Sequence, residues 1–367
     1  MASSSKIRVG IVGVSPQRGF ASIAHIPAVR ALPEFTITAL CTTRQESADA
    51  AARHFGIPLA FSDPEMLAQH PDVDLVTVSV KVPDHYRPVM AAIEAGKHVY
   101  CEWPLGRDTG EAVRMLDAAE RKGIRHVVGL QGQMSPAINY VKDLVADGYV
   151  GRVLTATMIT CAPNWGASID RAYQADRASG ANLLTITGGH TVDALCYCLG
   201  EFRELTAFVV SQRDHIPLAG TGEIVAKTSP DQLAVTGIVG DGAVVSFQVR
   251  GGMARGTDFL FEIHGAEGDL VLTATSRTSM QRQELSLKGA RGEGGPLADL
   301  PVPGTYRWVP QGMPPESPYN VAQLYAKLGE RIRDGKPASP GFDAAVTRHR
   351  LLDAILRASD TGQKQVA

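Results

Sequence analysis

The residues with the clearest chemical meaning form a glycine-containing loop near the N-terminus, which reads Gly10-Ile-Val-Gly13-Val-Ser15-Pro-Gln-Arg18-Gly19. In dinucleotide-binding folds the first glycine makes a tight turn, the second lets the backbone approach the pyrophosphate, and the third lets the helix pack on the strand. Gly13 and Gly19 fit the first and third roles, whereas Ser15 replaces the second glycine and the loop is about one residue longer. The predicted phosphate contacts are Gly13, Ser15, Arg18 and Gly19. A tight turn without a ligand is the alternative.

The residues after the second strand-like segment discriminate between the two pyridine nucleotides. An acidic residue there bonds the ribose 2′-hydroxyl of NAD, whereas a nearby arginine accommodates the 2′-phosphate of NADP. This chain has Thr42, Thr43 and Arg44 at that place and no acid. Two hydroxyls and a guanidinium favour NADP over NAD, although Arg44 is also compatible with a solvated residue in the first turn of a helix.

Strand-like and helix-like segments alternate through the first 130 residues. The predicted strands are 7–14, 35–41, 75–80, 98–101 and 126–130, and the predicted helices are 21–32, 47–55 and 85–95. A further helix begins at Asp108, with Glu111 three residues on, and ends at Gly123. This alternation predicts a doubly wound parallel sheet with helices on both faces, so residues 1–130 are interpreted as a dinucleotide-binding Rossmann domain.

After residue 130 the pattern changes to consecutive strand-like segments. They are 153–160, 205–211, 232–239, 243–250, 259–264 and 270–273, and the sequence Gly240-Asp241-Gly242 predicts a hairpin turn between two of them. Residues 289–318 are predicted as a long loop, and 321–334 and 342–359 as helices. We therefore expect residues 131–367 to form an α+β domain with a large, open, mostly antiparallel sheet. Its last helices are candidates to pack back on the first domain.

Composition and charge narrow the classes of function. The chain has 367 residues, which is more than one hydrophobic core usually supports, and its net charge is −2. A near-neutral chain has no overall attraction to nucleic acid or to an anionic membrane, so we expect neither as a direct partner. No apolar run approaches the roughly 20 residues that span a bilayer, and the N-terminal segment lacks an apolar signal core. Five cysteines without a disulfide framework suit a reducing compartment, so we expect a cytoplasmic protein.

The cysteines and histidines do not have the spacing of a metal site. Cys196 and Cys198 fall in a predicted helix, where positions i and i+2 point to different faces. No set of Asp, His and Cys has the spacing of zinc ligands, so no metal is expected.

The segment 74–105 resembles the Gfo/Idh/MocA family of oxidoreductases, whose pattern runs D-x-V-x-V, then P, H, A-G-K-H-V and E-K-P. The matching residues are Asp74, Val76, Val78, Pro83, His85, Ala95, Gly96, Lys97, His98, Val99, Glu102 and Pro104. Segments 261–270 and 341–359 resemble the family's later turn and last helix. Within the family, residues 19–20, 102–103, 130–136 and 189–193 are similar to the galactose-regulon repressor branch.

The resemblance implies a dinucleotide domain followed by an α+β domain whose open sheet packs against a second subunit, as a homodimer or homotetramer. In the family's Glu-Lys-Pro motif the lysine hydrogen-bonds the reacting hydroxyl, but this chain has Trp103 there. An indole is a single donor without a titratable proton, so it cannot replace an ammonium group in acid–base chemistry. Trp103 is expected as a wall of the cofactor and substrate pocket, and Glu102 as a residue at the nicotinamide end. Val80 and His85 complete the expected cofactor contacts, although helix packing also explains His85.

A histidine with an acid three residues on is the family's second element, and His190 and Asp193 match it on one helix face. His190 is the predicted proton carrier, with a structural histidine as the alternative, and Asp193 and Glu102 are its expected supports. The family often has an acid four residues earlier, where this chain has Ile186. Further candidates for the substrate cleft are Gln131, Tyr140, Asn164, Trp165 and Tyr173. Ordinary packing or a surface position is the alternative for each of them.

Three functional hypotheses follow. The first is an NAD(P)-dependent oxidoreductase that acts on a sugar, polyol or related hydroxyl or keto compound. The second is a dinucleotide- or sugar-sensing regulator without turnover, as the repressor branch implies, and the absent lysine favours it. The third is a degenerate fold retained as a structural subunit.

Overall fold

Two stretches that are far apart in sequence form the first of two folding units in the computed structural model. The structure describes residues 6–162, 169–218, 220–252, 256–274, 279–292, 294–313 and 316–366. The first unit comprises Met1–Leu130 and Trp308–Thr347, and the second comprises Gln131–Arg307 and Arg348–Ala367. The predicted division after residue 130 coincides with one boundary of these units. Residues 308–347 group with the first unit, and they contain the first of the two last helices named above as candidates to pack back on the first domain.

The first unit is built on a parallel sheet whose strands alternate with helices. Its elements up to residue 130 are β1 (Ile7–Val12), a π-helix (Ala21–His25), α1 (Ile26–Ala31), β2 (Phe35–Cys41), α2 (Gln45–Phe55), β3 (Leu59–Phe61), α3 (Pro64–Gln69), β4 (Leu75–Val78), a 3-10 turn (Val82–Asp84), α4 (Tyr86–Glu94), β5 (His98–Cys101), α5 (Thr109–Lys122) and β6 (His126–Val128). The strand order is β3-β2-β1-β4-β5-β6, and every neighbouring pair is parallel. The order reverses at β1 and β4, where ligands bind in open α/β sheets. The predicted doubly wound sheet is confirmed.

Local sequence explains several of these elements. All four residues of β4 are buried, as expected for a central parallel strand that is covered on both faces. The carboxylate of Asp108 accepts a hydrogen bond from the backbone N–H of Glu111 at 2.8 Å, and α5 ends at Gly123 with a φ of +64°. The predicted cap and the predicted end of this helix are therefore confirmed.

The rest of the chain supplies a second, larger sheet. The elements after residue 130 are a 3-10 turn (Gln131–Met134), α6 (Pro136–Ala146), β7 (Val153–Ala162), 3-10 turns (Ile169–Ala175 and Arg177–Ser179), a π-helix (Leu183–Gly188), α7 (Gly189–Leu199), β8 (Phe202–Val210), β9 (His215–Pro217), β10 (Ile224–Ala226), β11 (Gln232–Val239), β12 (Ala243–Gly251), β13 (Phe259–Gly265), β14 (Gly268–Ala274), a 3-10 turn (Met280–Arg282), β15 (Leu285–Arg291), β16 (Ala298–Asp299), a 3-10 turn (Gly304–Tyr306), α8 (Ser317–Asp334), α9 (Phe342–Thr361) and β17 (Gln365–Val366). Strands β9 and β10 pair with each other in a separate small sheet. The segment 289–318 is thus not wholly a loop, because β15 reaches into it and β16 pairs with β15.

In the part of the chain that the structure describes, the strands of the large sheet run in the order β16-β15-β14-β13-β7-β12-β11-β8-β17. Every neighbouring pair is antiparallel except β7 and β12, which are parallel. The predicted hairpin joins β11 to β12, with Val239 opposite Ala243. The mostly antiparallel sheet is therefore confirmed. Alternate residues of β8 and β12 are exposed, so one face of the sheet is open to solvent. On this face Phe208 is 76% exposed and Val244 is 51% exposed.

Helix α8 belongs to the first unit although it follows the second sheet in sequence. It packs against the π-helix Ala21–His25 and against α1. A side chain at Gly329 would come within 2.9 Å of the Phe35 ring, so a glycine allows the close approach of α8 to β2. None of the described helices combines the length and the apolar character that crossing a bilayer requires.

Candidate active site

The glycine loop of the first unit has the backbone geometry that only glycine adopts easily. Gly13 has a φ of +102° and donates its N–H to the carbonyl of Cys41 at 2.9 Å. A Cβ atom at Gly13 would lie 2.5 Å from the carbonyl oxygen of Ser79. The glycine is therefore required where the end of β1 passes the segment that follows β4.

The second half of this loop is open and leads into a helix. Gly19 has a φ of +100°, and a Cβ atom there would meet no atom within 4 Å. Arg18 is exposed and Ser15 is half-buried, and the carbonyl of Ser15 accepts a hydrogen bond from the Ser22 hydroxyl. The loop thus has room beside Gly19 and a guanidinium in solvent, which fits a phosphate group.

The predicted ribose-binding residues lie beside this loop, because β1 and β2 are neighbours and Val12 is opposite Cys41. The hydroxyl of Thr42 is 2.6 Å from that of Ser47 and donates to the carbonyl of Arg44 at 3.0 Å. These bonds shape the start of α2. Thr43 and the Arg44 side chain remain exposed at the same edge of the sheet.

His85 makes internal hydrogen bonds in the structure. Its Nδ1 lies 2.9 Å from the carbonyl oxygen of Pro104, and its Nε2 lies 3.2 Å from that of Val80. Burial lowers the pKa of this histidine, which favours the neutral ring. A neutral ring carries one N–H, so it donates to one of these two oxygens. His85 therefore ties the segment after β4 to the segment after β5, and its predicted contact with a cofactor stays a prediction.

Glu102 and Trp103 follow β5 directly. The backbone N–H of Glu102 donates to the carbonyl of Val78 at 3.1 Å, which places Glu102 next to the end of β4. Its carboxylate oxygen lies 3.1 Å from Nε2 of the buried His25, a partner that sequence reasoning missed. Trp103 is only 4% exposed, as a side chain that forms a pocket wall would be.

In the second unit, His190 is the second residue of α7. A π-helix, Leu183–Gly188, runs directly into α7 and is capped by Asn182, whose side chain accepts from two backbone N–H groups. π-Helices are rare and occur frequently at functional sites. His190 is 5% exposed, and a Cβ atom at Gly132 would lie 3.7 Å from its carbonyl oxygen. The turn that carries Gln131 therefore packs on the start of α7.

The carboxylate of Asp193 bonds to residues that sequence reasoning did not find. It accepts from the Gln133 amide at 3.1 Å and 3.2 Å and from Nε of Arg348 at 3.3 Å. Arg348 also binds Glu201, at 2.9 Å and 3.0 Å. Burial raises the pKa of Asp193 to about 6, although Arg348 and Gln133 act in the opposite direction. The described bonds of this acid thus hold the 131–134 turn and α9 against α7.

The remaining predicted residues are spread more widely. Gln131 is buried in its turn, and Tyr173 is half-buried with its hydroxyl 3.4 Å from the Gln174 amide. Tyr140 lies against the ring of Tyr306 at 5.5 Å. Trp165 and Asn164 lie outside the described residues. Among the residues that the structure describes, no three His, Cys, Asp or Glu side chains cluster in a way that could hold a metal ion.

Comparison with known proteins identifies both halves of the chain. Residues 7–130 match a family model described as an oxidoreductase family with an NAD-binding Rossmann fold, and residues 136–274 match the C-terminal domain of Gal80p. The chain is 30% identical to the dehydrogenase aclE of Aspergillus oryzae, over 98% of both chains. It is also 30% identical to the galactose/lactose metabolism regulatory protein GAL80 of Saccharomyces cerevisiae, over 81% of this chain and 74% of that protein.

The chain belongs to the Gfo/Idh/MocA oxidoreductase family. Its fold also matches a solved structure of levoglucosan dehydrogenase in complex with NADH and L-sorbose, with a TM-score of 0.85, 24% identity and coverage of 99% of this chain and 100% of that one. The predicted family and its Gal80-like branch are therefore confirmed. The relatives that match this chain include a protein named as a dehydrogenase and a protein named as a regulator. Membership of the family therefore does not by itself decide between catalysis and regulation.

Proposed function

We propose that the chain is an NAD(P)-dependent oxidoreductase that transfers hydride between nicotinamide and a sugar, a polyol or a related hydroxyl or keto compound. The observation that carries this proposal is that the chain keeps both an open glycine loop and a buried histidine at the start of α7. Similarity to a dehydrogenase over almost the whole chain supports it, as do relatives named levoglucosan dehydrogenase and D-apiose dehydrogenase.

The cofactor would be held by the loop Gly13–Gly19 and by the residues after β2. Backbone N–H groups at a loop and helix start suit the pyrophosphate, and the room at Gly19 fits such a group. The exposed Thr43 and Arg44 favour a 2′-phosphate, so NADP is the preferred cofactor and NAD the alternative. When bound, the nicotinamide supplies the hydride donor or acceptor, and the protein supplies orientation.

His190 would move the proton of the reacting hydroxyl group. Its imidazole suits this task near neutral pH, and the absence of a lysine at position 103 leaves it as the principal acid–base candidate. Asp193 would support the site indirectly, because its bonds to Gln133 and Arg348 hold the neighbouring turn in place. The proposed substrate contacts are Trp103, Gln131, Trp165, Tyr173 and His190.

The test is a titration with NADPH and NADH, followed by a substrate screen on the cofactor-loaded protein. With the right substrate, the nicotinamide absorbance should change. His190→Ala should slow that change by about a hundredfold or more while the cofactor still binds. His54→Ala, at an exposed histidine, is the matched control and should retain full activity. Lack of binding of either nucleotide would refute the proposal, and full activity of His190→Ala would refute the role of His190.

A regulator is the second candidate, and a specific observation favours it. Trp103 occupies the position of the family's lysine, and a regulatory protein is among the relatives at 30% identity. Such a protein would bind the dinucleotide and change its affinity for a protein partner. Failure of a broad substrate panel, together with a cofactor-dependent change in partner affinity, would favour this reading over the enzyme.

The open face of the large sheet is the proposed site of self-association. Its exposed apolar side chains include Phe208 on β8 and Val244 on β12, and large exposed apolar residues on one sheet face are typical of interfaces. We expect a homodimer or a homotetramer through this face. Light scattering on Phe208→Glu should show a smaller species than the unaltered chain, and an unchanged mass would contradict the assignment.

A further inference from the structure

His25 is a buried histidine that neither the sequence pattern nor the proposed reaction uses. It is the last residue of the π-helix that follows the glycine loop, and it is completely buried. Its Nδ1 lies 3.0 Å from the hydroxyl of Tyr325 on α8, and that hydroxyl lies 2.7 Å from Oγ1 of Thr77 on β4. Its Nε2 lies 3.1 Å from Oε1 of Glu102. Four polar side chains of the first unit, from β4, α8, the π-helix and the segment after β5, therefore lie in a row with each within 3.1 Å of the next.

The carboxylate at one end decides where the hydrogens lie in this chain. With one hydrogen on the ring, a bare Nε2 lone pair facing a carboxylate oxygen would be repelled. The hydrogen therefore belongs on Nε2. Nδ1 then accepts from the hydroxyl of Tyr325, and the oxygen of Tyr325 accepts from Thr77. Burial raises the pKa of the Tyr325 phenol, so this hydroxyl keeps its hydrogen.

The contact between His25 and Glu102 is close but not fully aligned. At 3.1 Å the nitrogen and the oxygen are within hydrogen-bond distance. The N–H of Nε2 does not point closely enough at this oxygen to form a hydrogen bond in the structure. A buried ring nitrogen requires a partner, and Glu102 is the partner within reach among the described residues. We expect rotation of the carboxylate to complete the bond.

His25 also contacts the glycine loop. Its ring packs nearly perpendicular to the ring of Phe20, the residue after Gly19, at a centroid distance of 5.6 Å, and to the ring of Tyr100 on β5 at 5.0 Å. The same imidazole thus contacts the residue after the phosphate loop and β5, the strand that Glu102 follows. The pyrophosphate and the nicotinamide of a bound dinucleotide would then each lie next to a group that this ring contacts.

We propose that His25 is the positioning residue of Glu102: donated hydrogen bonds run from Thr77 through Tyr325 and His25 to the Glu102 carboxylate and fix it beside the glycine loop. This inference rests on the proposed function, in which Glu102 lies at the nicotinamide end. It also explains why α8 groups with the first unit, since α8 supplies Tyr325.

The first experiment uses the protein without cofactor. Histidine labelled with ¹⁵N reports which ring nitrogen carries the hydrogen, and His25→Gln identifies the signal of His25 among ten histidines. We expect the hydrogen on Nε2, and we expect Tyr325→Phe and Glu102→Gln each to shift the signal. His126→Gln, at a half-buried histidine of the same unit, should leave it unchanged. A hydrogen on Nδ1 would overturn the proposal, and so would a His25 signal that does not shift in Glu102→Gln.

The second experiment measures affinity for NADPH and NADH. His25→Phe keeps a ring but loses the donor, and the loss of one bond to a charged group predicts binding about tenfold weaker. His25→Gln retains a donor and should recover most of the affinity, while His126→Gln should bind as the unaltered chain does. Equal affinity of all three variants would reject the positioning role and leave the proposed function intact. If the unaltered chain binds neither nucleotide, the proposed function fails, and the ¹⁵N experiment still decides whether His25 donates to Glu102.

Discussion

Substitution of Gly13 by alanine should destabilise the chain far more than the same change at Gly19. Both residues have a φ near +100°, so an alanine at either position carries a similar backbone strain of about 1 kcal/mol or slightly more. Their surroundings differ. At Gly13 the new methyl group would lie 2.5 Å from the carbonyl oxygen and 2.8 Å from the carbonyl carbon of Ser79, whereas at Gly19 it would meet nothing within 4 Å.

The backbone at Ser79 cannot move aside as a flexible side chain would, because the N–H of Ser79 is bonded to the carbonyl of Val12 at 3.0 Å. Relief of such overpacking costs about 1–3 kcal/mol. Added to the strain, this predicts a loss of about 3 kcal/mol in the free energy of unfolding for Gly13→Ala and about 1 kcal/mol for Gly19→Ala. Urea unfolding followed by circular dichroism measures both values.

The pair of variants also separates folding from binding. Gly19→Ala adds a methyl group to open space beside the loop, so the variant should fold well. Its affinity for NADPH should fall, because the methyl group fills space that the phosphates would occupy. Equal destabilisation by the two substitutions would refute the argument from close approach at Gly13. Unchanged NADPH binding by Gly19→Ala would refute the assignment of that space to the cofactor.

Three further predictions concern charged groups. Arg44→Ala should weaken the affinity for NADPH by about tenfold or more and change the affinity for NADH little. Equal losses of affinity in the two titrations would contradict the 2′-phosphate assignment. Because the pKa of Asp193 is raised from 3.8 to about 6, the folded state binds more protons than the unfolded state between these values. The contribution of this acid to stability should therefore fall as the pH rises between the two pKa values, by about 1.4 kcal/mol for each pH unit, and Asp193→Asn should lack this dependence in urea unfolding. Arg348→Met should lower the free energy of unfolding by about 3 kcal/mol at neutral pH and by less at pH 4, where Asp193 is protonated, while Arg350→Met at an exposed site should have little effect.

Short-range patterns account for the features that were predicted correctly. The alternation of apolar runs with amphipathic segments predicts the parallel sheet, and the turn at 240–242 predicts the β11–β12 hairpin. The cap at Asp108 depends on a residue three positions away. Each of these signals lies within one or two turns of chain, so it can be read without knowledge of the tertiary structure.

Long-range contacts account for what was missed. Nothing near Glu102 in sequence indicates that His25 will be its neighbour, and Tyr325, which bonds His25, lies 300 positions further along the chain. Asp193 matched a family pattern, but its partner Arg348 is 155 positions away and looks like any other arginine of an amphipathic helix.

The amino-acid sequence by itself determined which segments form strands and helices, where the glycine loop lies and to which family the chain belongs, because periodicity, turn chemistry and motif spacing act over short distances. Only the tertiary structure decided which of the last helices completes the first unit, and that Asp193 bonds to Arg348. The physical reason is that buried polar groups must find partners wherever packing brings them, and packing joins residues from anywhere in the chain.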